Sequence, residues 1–367
     1  MIHKETDGLD HLTSLRNGTF KLGLGIGCDI DTHLRYKKNG LVVMAGHANV
    51  GKTASILFYF TALAKQHKLK FAVLSSENEI GSIKDDIITF FTGKEVAKLD
   101  SSSFEYAHYW LNEHFKFINF EGFFEENKRL MNHRDILNII DNLPLDHNFT
   151  PDAFVLDPYN SLGKDDELPK NQHLYDYTVM AELRIYCKKN NKACYILAHG
   201  VTEALRKTHS REHDFAGYTI PLLSADIEGG GKFVNRCDDF VCIHRYTSHK
   251  TEWSKTEWHV LKVKNTKTGG KPTFKENPVI LRALPNITGF DIYIKEDNFA
   301  EPESFKNPMS IEEEYEPKPL PKNLAFEDTV QVSKQKLEAD KEQQRRDAID
   351  KEIEDNGIEF TPTKQTK

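Results

Sequence analysis

The sequence lacks the cysteine pattern of a disulfide framework or a zinc ribbon. It contains five cysteines, at positions 28, 187, 194, 237 and 242, and none of them forms a CxxC pair. An odd count without paired spacings argues against both classes of scaffold. We therefore interpret the cysteines as small buried hydrophobic residues.

Long apolar runs are also missing. No stretch approaches the roughly 20 apolar residues that cross a bilayer, and the start MIHKETDGLDHL has no signal-peptide core. We therefore expect a soluble, cytoplasmic protein without membrane contact. A hydrophobic content of 38% with 23 phenylalanines supplies a sizeable core, and 367 residues suit one large α/β domain with extensions or two ordinary domains.

The excess of basic residues that many nucleic-acid binders carry is absent, since the formal net charge is −7. From residue 301 onward there are 17 acidic and 11 basic residues, whereas residues 1–300 hold 39 acidic and 38 basic ones. The main part of the chain is thus nearly neutral. Any binding of nucleic acid has to use local loops rather than a global field.

Short apolar runs alternate with helical periodicity over the first 250 residues. Runs typical of buried strands cover 41–45, 70–76, 115–120, 153–157, 193–199 and 239–244, and helical stretches cover 53–66, 82–92, 104–113, 133–142 and 173–190. This alternation predicts an α/β fold with a mostly parallel sheet flanked by helices. After residue 255 the runs EWHVLKVKN, KTGGKPTF, PVILRAL and GFDIYI predict β-hairpins at one sheet edge.

The composition changes near residue 298. Five of the 14 prolines fall between 302 and 321, which is typical of a linker. The chain therefore divides into four predicted parts: an N-terminal arm or linker over 1–38, an α/β core over 39–298, a Pro/Glu-rich linker over 299–329, and a charged helix with a loose acidic tail over 330–367.

The motif GHANVGKT follows the first predicted strand and precedes the first predicted helix. It satisfies G-x-x-x-x-G-K-[ST], a loop in which glycines let successive backbone N–H groups face phosphate oxygens. The lysine of such a loop reaches the β and γ phosphates, and its hydroxyl residue ligates magnesium. We therefore predict that ATP and Mg²⁺ are bound by Gly46, His47, Ala48, Asn49, Val50, Gly51, Lys52 and Thr53.

Asp157 ends the predicted strand AFVLD and is followed by Pro158. Ligands bind at the carboxyl ends of strands in open α/β sheets, so Asp157 is a candidate magnesium ligand beside Thr53. On its own, a strand-ending Asp is more often a helix or turn cap. Many nucleotide hydrolases carry a water-activating acid next to this one, but proline stands there, so the base has to lie elsewhere.

Glu77, after the strand KFAVLSS, is the candidate general base. This strand is the first after the phosphate-loop helix, and a carboxylate at its end can orient water in line with the γ phosphate. Alternatively, Glu77 is a surface residue that opens the next helix, and the base lies in GKDDEL, at Asp165, Asp166 or Glu167. His199 ends the strand ACYILAH and is either a γ-phosphate sensor or a satisfied polar cap.

Together these motifs resemble the RecA-like P-loop NTPase core of hexameric replicative helicases, the DnaB superfamily, and especially its Twinkle and bacteriophage helicase-primase branch. The resemblance spans about residues 20 to 295 and rests on SSEN, VLDPYNSL, ILAHG, SADIEGGGKFVNRCDDFVCIHR and HVLKVKNTKTGG. It implies an ATP-hydrolysing helicase core without the primase or helical collar of longer relatives. A separate primase or polymerase is an expected partner.

The resemblance also implies roles for individual residues. Glu77 corresponds to the base and His199 to the phosphate sensor, while Arg245 lies near the nucleotide base. Lys262 and Lys264 correspond to the trans-acting finger that reaches the neighbouring subunit's site. The family usually has Arg at the position of Lys264, and an ammonium cannot reproduce the bidentate guanidinium fork; ordinary strand-surface charge is the alternative reading of both lysines.

For single-stranded DNA, the resemblance points to loops that line a central pore. Candidates are RKTHSREHDF and EGGGKF, with contacts from Lys207, Arg211, Gly229, Gly230 and Lys232. Glycines allow close approach to a phosphate chain, and the scarcity of aromatic residues favours contact with the DNA backbone over base reading. Both segments are equally compatible with plain flexible loops.

These observations predict a homo-oligomeric helicase core, in the family a hexamer, that translocates on single-stranded DNA in replication. A RecA-like ATPase that mediates recombination or regulates replication without unwinding is the alternative. A structural or packaging ATPase that recruits partners through its acidic tail is a third possibility. The sequence leaves translocation polarity, ring size, nucleotide preference and the loader open.

Overall fold

The computed structural model describes residues 8–227, 230–294 and 304–310, together with residues 2, 4 and 6. Within these ranges ten strands form one sheet, in the order β10-β9-β8-β7-β6-β1-β5-β4-β2-β3. The strands are β1 (Leu41–Gly46), β2 (Phe71–Ser75), β3 (Phe115–Phe117), β4 (Ala153–Asp157), β5 (Ala193–His199), β6 (Asp239–His244), β7 (Lys255–Val263), β8 (Val279–Ala283), β9 (Phe290–Ile294) and β10 (Ser304–Lys306).

The first six strands are mutually parallel and the last four are antiparallel. All side chains of β1, β4 and β6 are buried, because helices cover the parallel part of the sheet on both faces. The predicted α/β fold with C-terminal hairpins is therefore confirmed. The segment KTGGKPTF forms no strand; an isolated bridge between Phe274 and Asn277 is its only pairing in the described ranges apart from single hydrogen bonds.

Nine α-helices lie in the described ranges. They are α1 (Leu9–Arg16), α2 (Ile30–His33), α3 (Lys52–His67), α4 (Ile80–Thr92), α5 (Ser101–His114), α6 (Phe120–Asn127), α7 (His133–His147), α8 (Gln172–Asn190) and α9 (Gly231–Arg236). Helices α3, α4 and α5 pack in one hydrophobic cluster, whereas α7, α8 and α9 pack in a second cluster on the other face of the sheet. The sheet thus separates two cores.

Side-chain caps explain where several helices begin. The Asp100 carboxylate accepts a hydrogen bond from the Ser103 N–H at the start of α5. At α7, Asn132 and Asp135 form a reciprocal capping box. Both arrangements satisfy backbone donors that have no partner inside the helix, so these starts follow from local sequence.

The structure extends the core past both predicted boundaries. Residues 24–36, which belong to the predicted N-terminal arm, bury Ile26, Ile30, Leu34 and Tyr36 in the first cluster. Residues 304–310 of the predicted linker add strand β10 and the buried Met309, whose carbonyl accepts a hydrogen bond from Lys65 at 2.6 Å. The remainder of the predicted linker and the charged tail over 330–367 lie outside the described residues.

Two further sequence expectations concern burial. All five cysteines are buried thiols rather than members of disulfides, which confirms their interpretation as small core residues. Among the helices that the structure describes, none has the length and apolar character needed to cross a bilayer.

A buried histidine predicts acid sensitivity of the fold. His244 is 2% exposed, and neither ring nitrogen has a hydrogen-bond partner in the described part of the chain. Burial lowers its pKa to about 3, with smaller contributions from His259, His47 and His209. As pH falls below about 6.5, His244 becomes protonated in the unfolded chain but stays neutral in the folded chain. The free energy of unfolding therefore decreases.

We therefore expect wild-type protein to lose stability between about pH 7.5 and about pH 5, and His244→Phe to lose less. Urea unfolding at both pH values measures the effect. Replacing His173, an exposed residue of α8, by Phe is the control and should keep the wild-type pH slope. Equal slopes for His244→Phe and the wild type would assign the acid sensitivity to other groups.

Candidate nucleotide-binding site

The phosphate loop connects the end of β1 to the start of α3. Gly51 has φ of +87°, a left-handed conformation that L side chains rarely adopt. A Cβ atom added at Gly46 would lie 2.5 Å from the Ile243 carbonyl oxygen and 2.9 Å from Val50 Cγ2. Both glycines of the motif are thus required by the backbone path, one by its dihedral angle and the other by close packing.

Lys52 is the first residue of α3 and is 7% exposed. Its ammonium donates hydrogen bonds to the carbonyls of Gly46 and His47 at 3.2 and 2.8 Å, within the loop itself. Burial lowers the pKa of Lys52, and the nearby Asp157 and Glu77 oppose this shift. The side chain therefore curls over the loop and places a positive charge where the loop would hold phosphates.

Thr53 and Asp157 meet at the centre of the site. The Thr53 hydroxyl donates to Asp157 Oδ2 at 2.6 Å, and Asp157 is 3% exposed at the end of β4. Burial raises the pKa of Asp157 to about 6, although Thr53 and Lys52 lower it. Hydroxyl and carboxylate oxygens are ligands that Mg²⁺ prefers, and a cation would offset the cost of the buried carboxylate, so this pair fits a magnesium ion.

Glu77 and His199 lie beside Lys52. A distance of 3.3 Å separates Glu77 Oε1 from His199 Nε2, and 3.4 Å separates His199 Nδ1 from the Lys52 ammonium. The parallel strands explain this arrangement, because β2, β4 and β5 end at the same edge as β1. Sequence-distant residues thus form one chain of polar contacts next to the phosphate loop.

A cavity of 370 Å³ contains these side chains. Its lining consists of Ala48, Asn49, Gly51, Lys52, Thr53, Ala54, Glu77, Asn78, Ser82, Ile83, Asp86, Asp157, His199 and Arg245. The side chains of His47 and Val50 are instead 7% and 3% exposed and pack beneath the loop. Of the eight predicted loop residues, five therefore line the cavity, and Gly46, His47 and Val50 support it.

The alternative bases in GKDDEL lie elsewhere. Asp165 and Glu167 both form ion pairs with Arg134, at 3.2 and 2.8 Å, and neither they nor Asp166 line the cavity. Arg134 extends from α7, in the second hydrophobic cluster. Of the candidate bases, Glu77 is therefore the one that lines the cavity.

Arg245 follows β6, the strand next to β1, and lines the cavity. Its guanidinium donates to the Asn49 carbonyl at 3.2 Å, and burial lowers its pKa. The position of Arg245 near the nucleotide base stays a prediction, since the described contact of its guanidinium is with the phosphate loop.

Sequence reasoning missed the contribution of α4. Ser82 and Asp86, four residues apart on one helix face, both line the cavity. Burial raises the pKa of Asp86 to about 6, with a smaller effect from the adjacent Asp85. The polar pair on the helix that follows Glu77 could have indicated that this helix lines the site. Such a pair, however, usually lies on a solvated helix face.

Lys262 does not line the cavity. Its ammonium donates to the carbonyls of Val234 and Cys237, the second at 2.8 Å, and so it ties β7 to the end of α9. The contact of Lys262 with the neighbouring subunit's nucleotide stays a prediction, and within its own chain the ammonium is bound by backbone oxygens.

Lys264 and the phosphate loop lie at opposite ends of the parallel strands: Lys264 is beside the amino end of β6, and the loop follows the carboxyl end of β1. The backbone N–H of Lys264 donates to the Asp238 carbonyl, just before β6 begins. The side chain is 52% exposed. Lys264 therefore cannot complete the cavity of its own chain.

The predicted DNA contacts differ in their accessibility. Lys207 pairs with Asp226 at 2.5 Å, and Lys232 is 11% exposed and faces Asp176 at 3.8 Å. Arg211 is exposed at the tip of its loop. Gly230 has φ of +67°, and Gly229 lies outside the described residues. Both lysines are thus engaged within the chain, which the charge pattern alone did not indicate.

The first of these loops carries more aromatic packing than its sequence suggests. Phe215 stacks on Tyr246 with ring centroids 4.0 Å apart, and His209 stacks on His213 at 3.9 Å. Tyr246 directly follows Arg245, so the loop is anchored beside the nucleotide cavity. This packing argues against the reading of residues 206–215 as a plain flexible loop.

The strand order and the phosphate loop together define a RecA-like P-loop fold. Neither a family model nor a curated protein sequence matches the chain. The ATPase domain of G40P is similar in structure, with 12% identity, a TM-score of 0.60, and coverage of 79% of this chain and 99% of that domain.

A DnaB-like replicative helicase, solved in a study of its interactions with primase, is similar at 12% identity and a TM-score of 0.59. That match covers 79% of this chain and 67% of the helicase. The chain therefore has the fold of the ATPase core of DnaB-like replicative helicases, as its motifs predict.

Proposed function

We propose that the protein is an ATP-driven motor that translocates on single-stranded DNA as a ring, with ATP hydrolysed at the contacts between copies. The convergence of Glu77, His199 and Lys52 with the Thr53–Asp157 pair around one cavity carries this proposal. The likeness to replicative helicase ATPase domains supports the motor class over other P-loop enzymes.

The residues suggest a division of labour in hydrolysis. Backbone N–H groups of the loop and the Lys52 ammonium bind the β and γ phosphates. Mg²⁺, when held by Thr53 and Asp157, would neutralise charge on the phosphate oxygens. Glu77, which is 54% exposed, accepts the proton of the attacking water. His199 contacts both Glu77 and Lys52 and is placed to respond to the γ phosphate.

The ring part of the proposal rests on Lys264. Because Lys264 lies at the end of the strands opposite the cavity, it can reach a nucleotide cavity only in another copy. Contacts between opposite edges of identical chains are heterologous, and they close into rings when the rotation permits. A hexamer is the ring size that the family resemblance implies.

For DNA, we propose that the loop over 206–215 and the segment over 228–233 face the strand. Arg211 is the exposed cation of the first loop, and Lys207 becomes available when its pair with Asp226 opens. Contacts of this type bind phosphates without reading sequence. The DnaB-like helicase above interacts with primase, and we propose a separate primase or polymerase as a partner here as well.

A mixing experiment tests both hydrolysis and the shared site. Lys52→Ala and Lys264→Ala should each be inactive alone, yet a mixture should recover ATPase activity, because a cavity with Lys52 can then face an intact Lys264. An absence of recovery in mixed rings would contradict a site shared between copies. The matched control replaces Lys262, whose ammonium is bound within its own chain. This variant should be active alone, and its mixture with Lys52→Ala should show no more activity than the two separate proteins.

Strand displacement of a forked duplex distinguishes the motor from its alternatives. The motor requires ATP-dependent displacement and stimulation of ATPase activity by single-stranded DNA. DNA binding with weak turnover and no displacement would favour the recombination mediator or replication regulator. ATPase activity that does not respond to DNA would favour the packaging-type enzyme.

A further inference from the structure

Asp86 is half-buried and has no hydrogen-bond or ion-pair partner among the residues that the structure describes. Its side chain lines the nucleotide cavity one turn after Ser82 on α4. Within residues 8–227, 230–294 and 304–310, no hydrogen bond or ion pair reaches its carboxylate, and the other charge acting on it is the repulsive one of Asp85. A desolvated carboxylate without a partner is costly, so its position calls for a cation from outside.

The charges that line the cavity also indicate that a cation from outside is needed. Three carboxylates line it, those of Glu77, Asp86 and Asp157, against the permanent cations of Lys52 and Arg245. A bound nucleoside triphosphate adds further negative charge even with one divalent ion. The cavity is thus short of positive charge when it is loaded.

A weakly paired cation, Lys264, lies at the other end of the parallel strands. Lys264 is 52% exposed, and its one ion pair in the described ranges is a long contact of 3.7 Å with Asp238. Asp238 is already held by Arg184 at 2.5 Å. The Lys264 ammonium can therefore leave Asp238 without stranding a carboxylate.

We propose that Asp86 is a positioning residue that holds Lys264 of a second copy at the open side of the cavity. This inference rests on the proposed function and adds the acceptor that the shared site requires. A lysine carries a point charge on a flexible stem, in contrast to the rigid fork of arginine. A carboxylate beside the cavity restricts that stem and directs the ammonium towards the γ phosphate.

Substitutions at Asp86 test the ion pair. We expect Asp86→Asn and Asp86→Lys each to lower kcat for ATP by about tenfold, because Lys264 of the second copy loses its acceptor. Asp86→Glu keeps the carboxylate and should stay within about threefold of wild type. The affinity for an ATP analogue should change by less than about threefold in Asp86→Asn, because Lys264 acts on turnover. Asp85→Lys, an exposed neighbour on the same helix, is the matched control and should retain wild-type kcat.

Cross-linking gives an independent measurement. In the double variant Asp86→Cys with Lys264→Cys, a short bismaleimide should join the two introduced thiols between copies when an ATP analogue is present. The native cysteines are buried and should not react. The double variant Asp85→Cys with Lys264→Cys is the control and should cross-link less.

Equal kcat of Asp86→Asn and wild type, together with no cross-link between copies, would overturn the role of Asp86. If wild-type protein hydrolyses no ATP and remains monomeric with ATP analogue and single-stranded DNA, the proposed function fails instead. Wild-type activity in Asp86→Ala would exclude a role for Asp86 in positioning Lys264, while the motor proposal would stand.

Discussion

Replacing Glu77 by glutamine should abolish turnover while ATP still binds. Glutamine keeps the size of the side chain but cannot accept the proton of the attacking water. Loss of a general base typically slows the reaction by about 10² to 10⁴-fold. Because Glu77 is 54% exposed and its described contact is with His199 at 3.3 Å, the substitution should not disturb the fold. Single-turnover hydrolysis and the binding of a fluorescent ATP analogue measure the two effects separately.

Glu79→Gln is the matched control for this experiment. Glu79 lies two residues further along, is exposed, and does not line the cavity, so its variant should retain wild-type turnover. A near wild-type rate in Glu77→Gln would remove Glu77 from the mechanism. Asp165 and Glu167 would remain poor replacements, because Arg134 holds both of them.

Replacing Lys52 by methionine should weaken nucleotide binding strongly without unfolding the protein. The ammonium is the cation that the fold places at the phosphate loop, where it now bonds to the carbonyls of Gly46 and His47. Removing one partner of a buried charge contact costs about 2–5 kcal/mol, which corresponds to a loss of ATP affinity of about 30-fold or more. Methionine has a similar length and avoids the desolvation cost of a buried ammonium, so stability should not fall.

Isothermal titration with Mg·ATP and urea unfolding test both parts of this prediction. Lys94→Met, which changes an exposed lysine outside the cavity, is the control for the loss of one positive charge. Tight ATP binding by Lys52→Met would show that the loop backbone suffices. Unfolding of the variant would instead assign Lys52 a structural role.

Much of the fold follows from local sequence patterns. The six parallel strands were predicted because each is a short apolar run, and burial on both faces requires such runs. The start of α3 follows from the two glycines and the lysine of the phosphate loop. Glu77 and His199 could be placed near the loop in advance, since parallel strands end at one edge of a sheet.

Other features depend on neighbours that are distant in sequence. Lys207 and Lys232 read as free basic residues, yet Asp226 and Asp176 fold back against them. Asp86 reads as one of two adjacent acids on a solvated helix face, and α4 turns it into the cavity. The burial of residues 24–36 was also missed, although six of these 13 residues are apolar, because the surface that covers them comes from other elements.

The order of residues along the chain thus specified the strands, the phosphate loop and the chemistry available at the strand ends, because these depend on periodicity and on backbone requirements within a few residues. Packing alone decided which charges are paired. It also decided which described acid lacks a partner and which lysine lies away from the cavity of its own chain. Pairing is a matter of a few ångströms in space, and no local pattern encodes that distance when the partners lie tens to hundreds of residues apart.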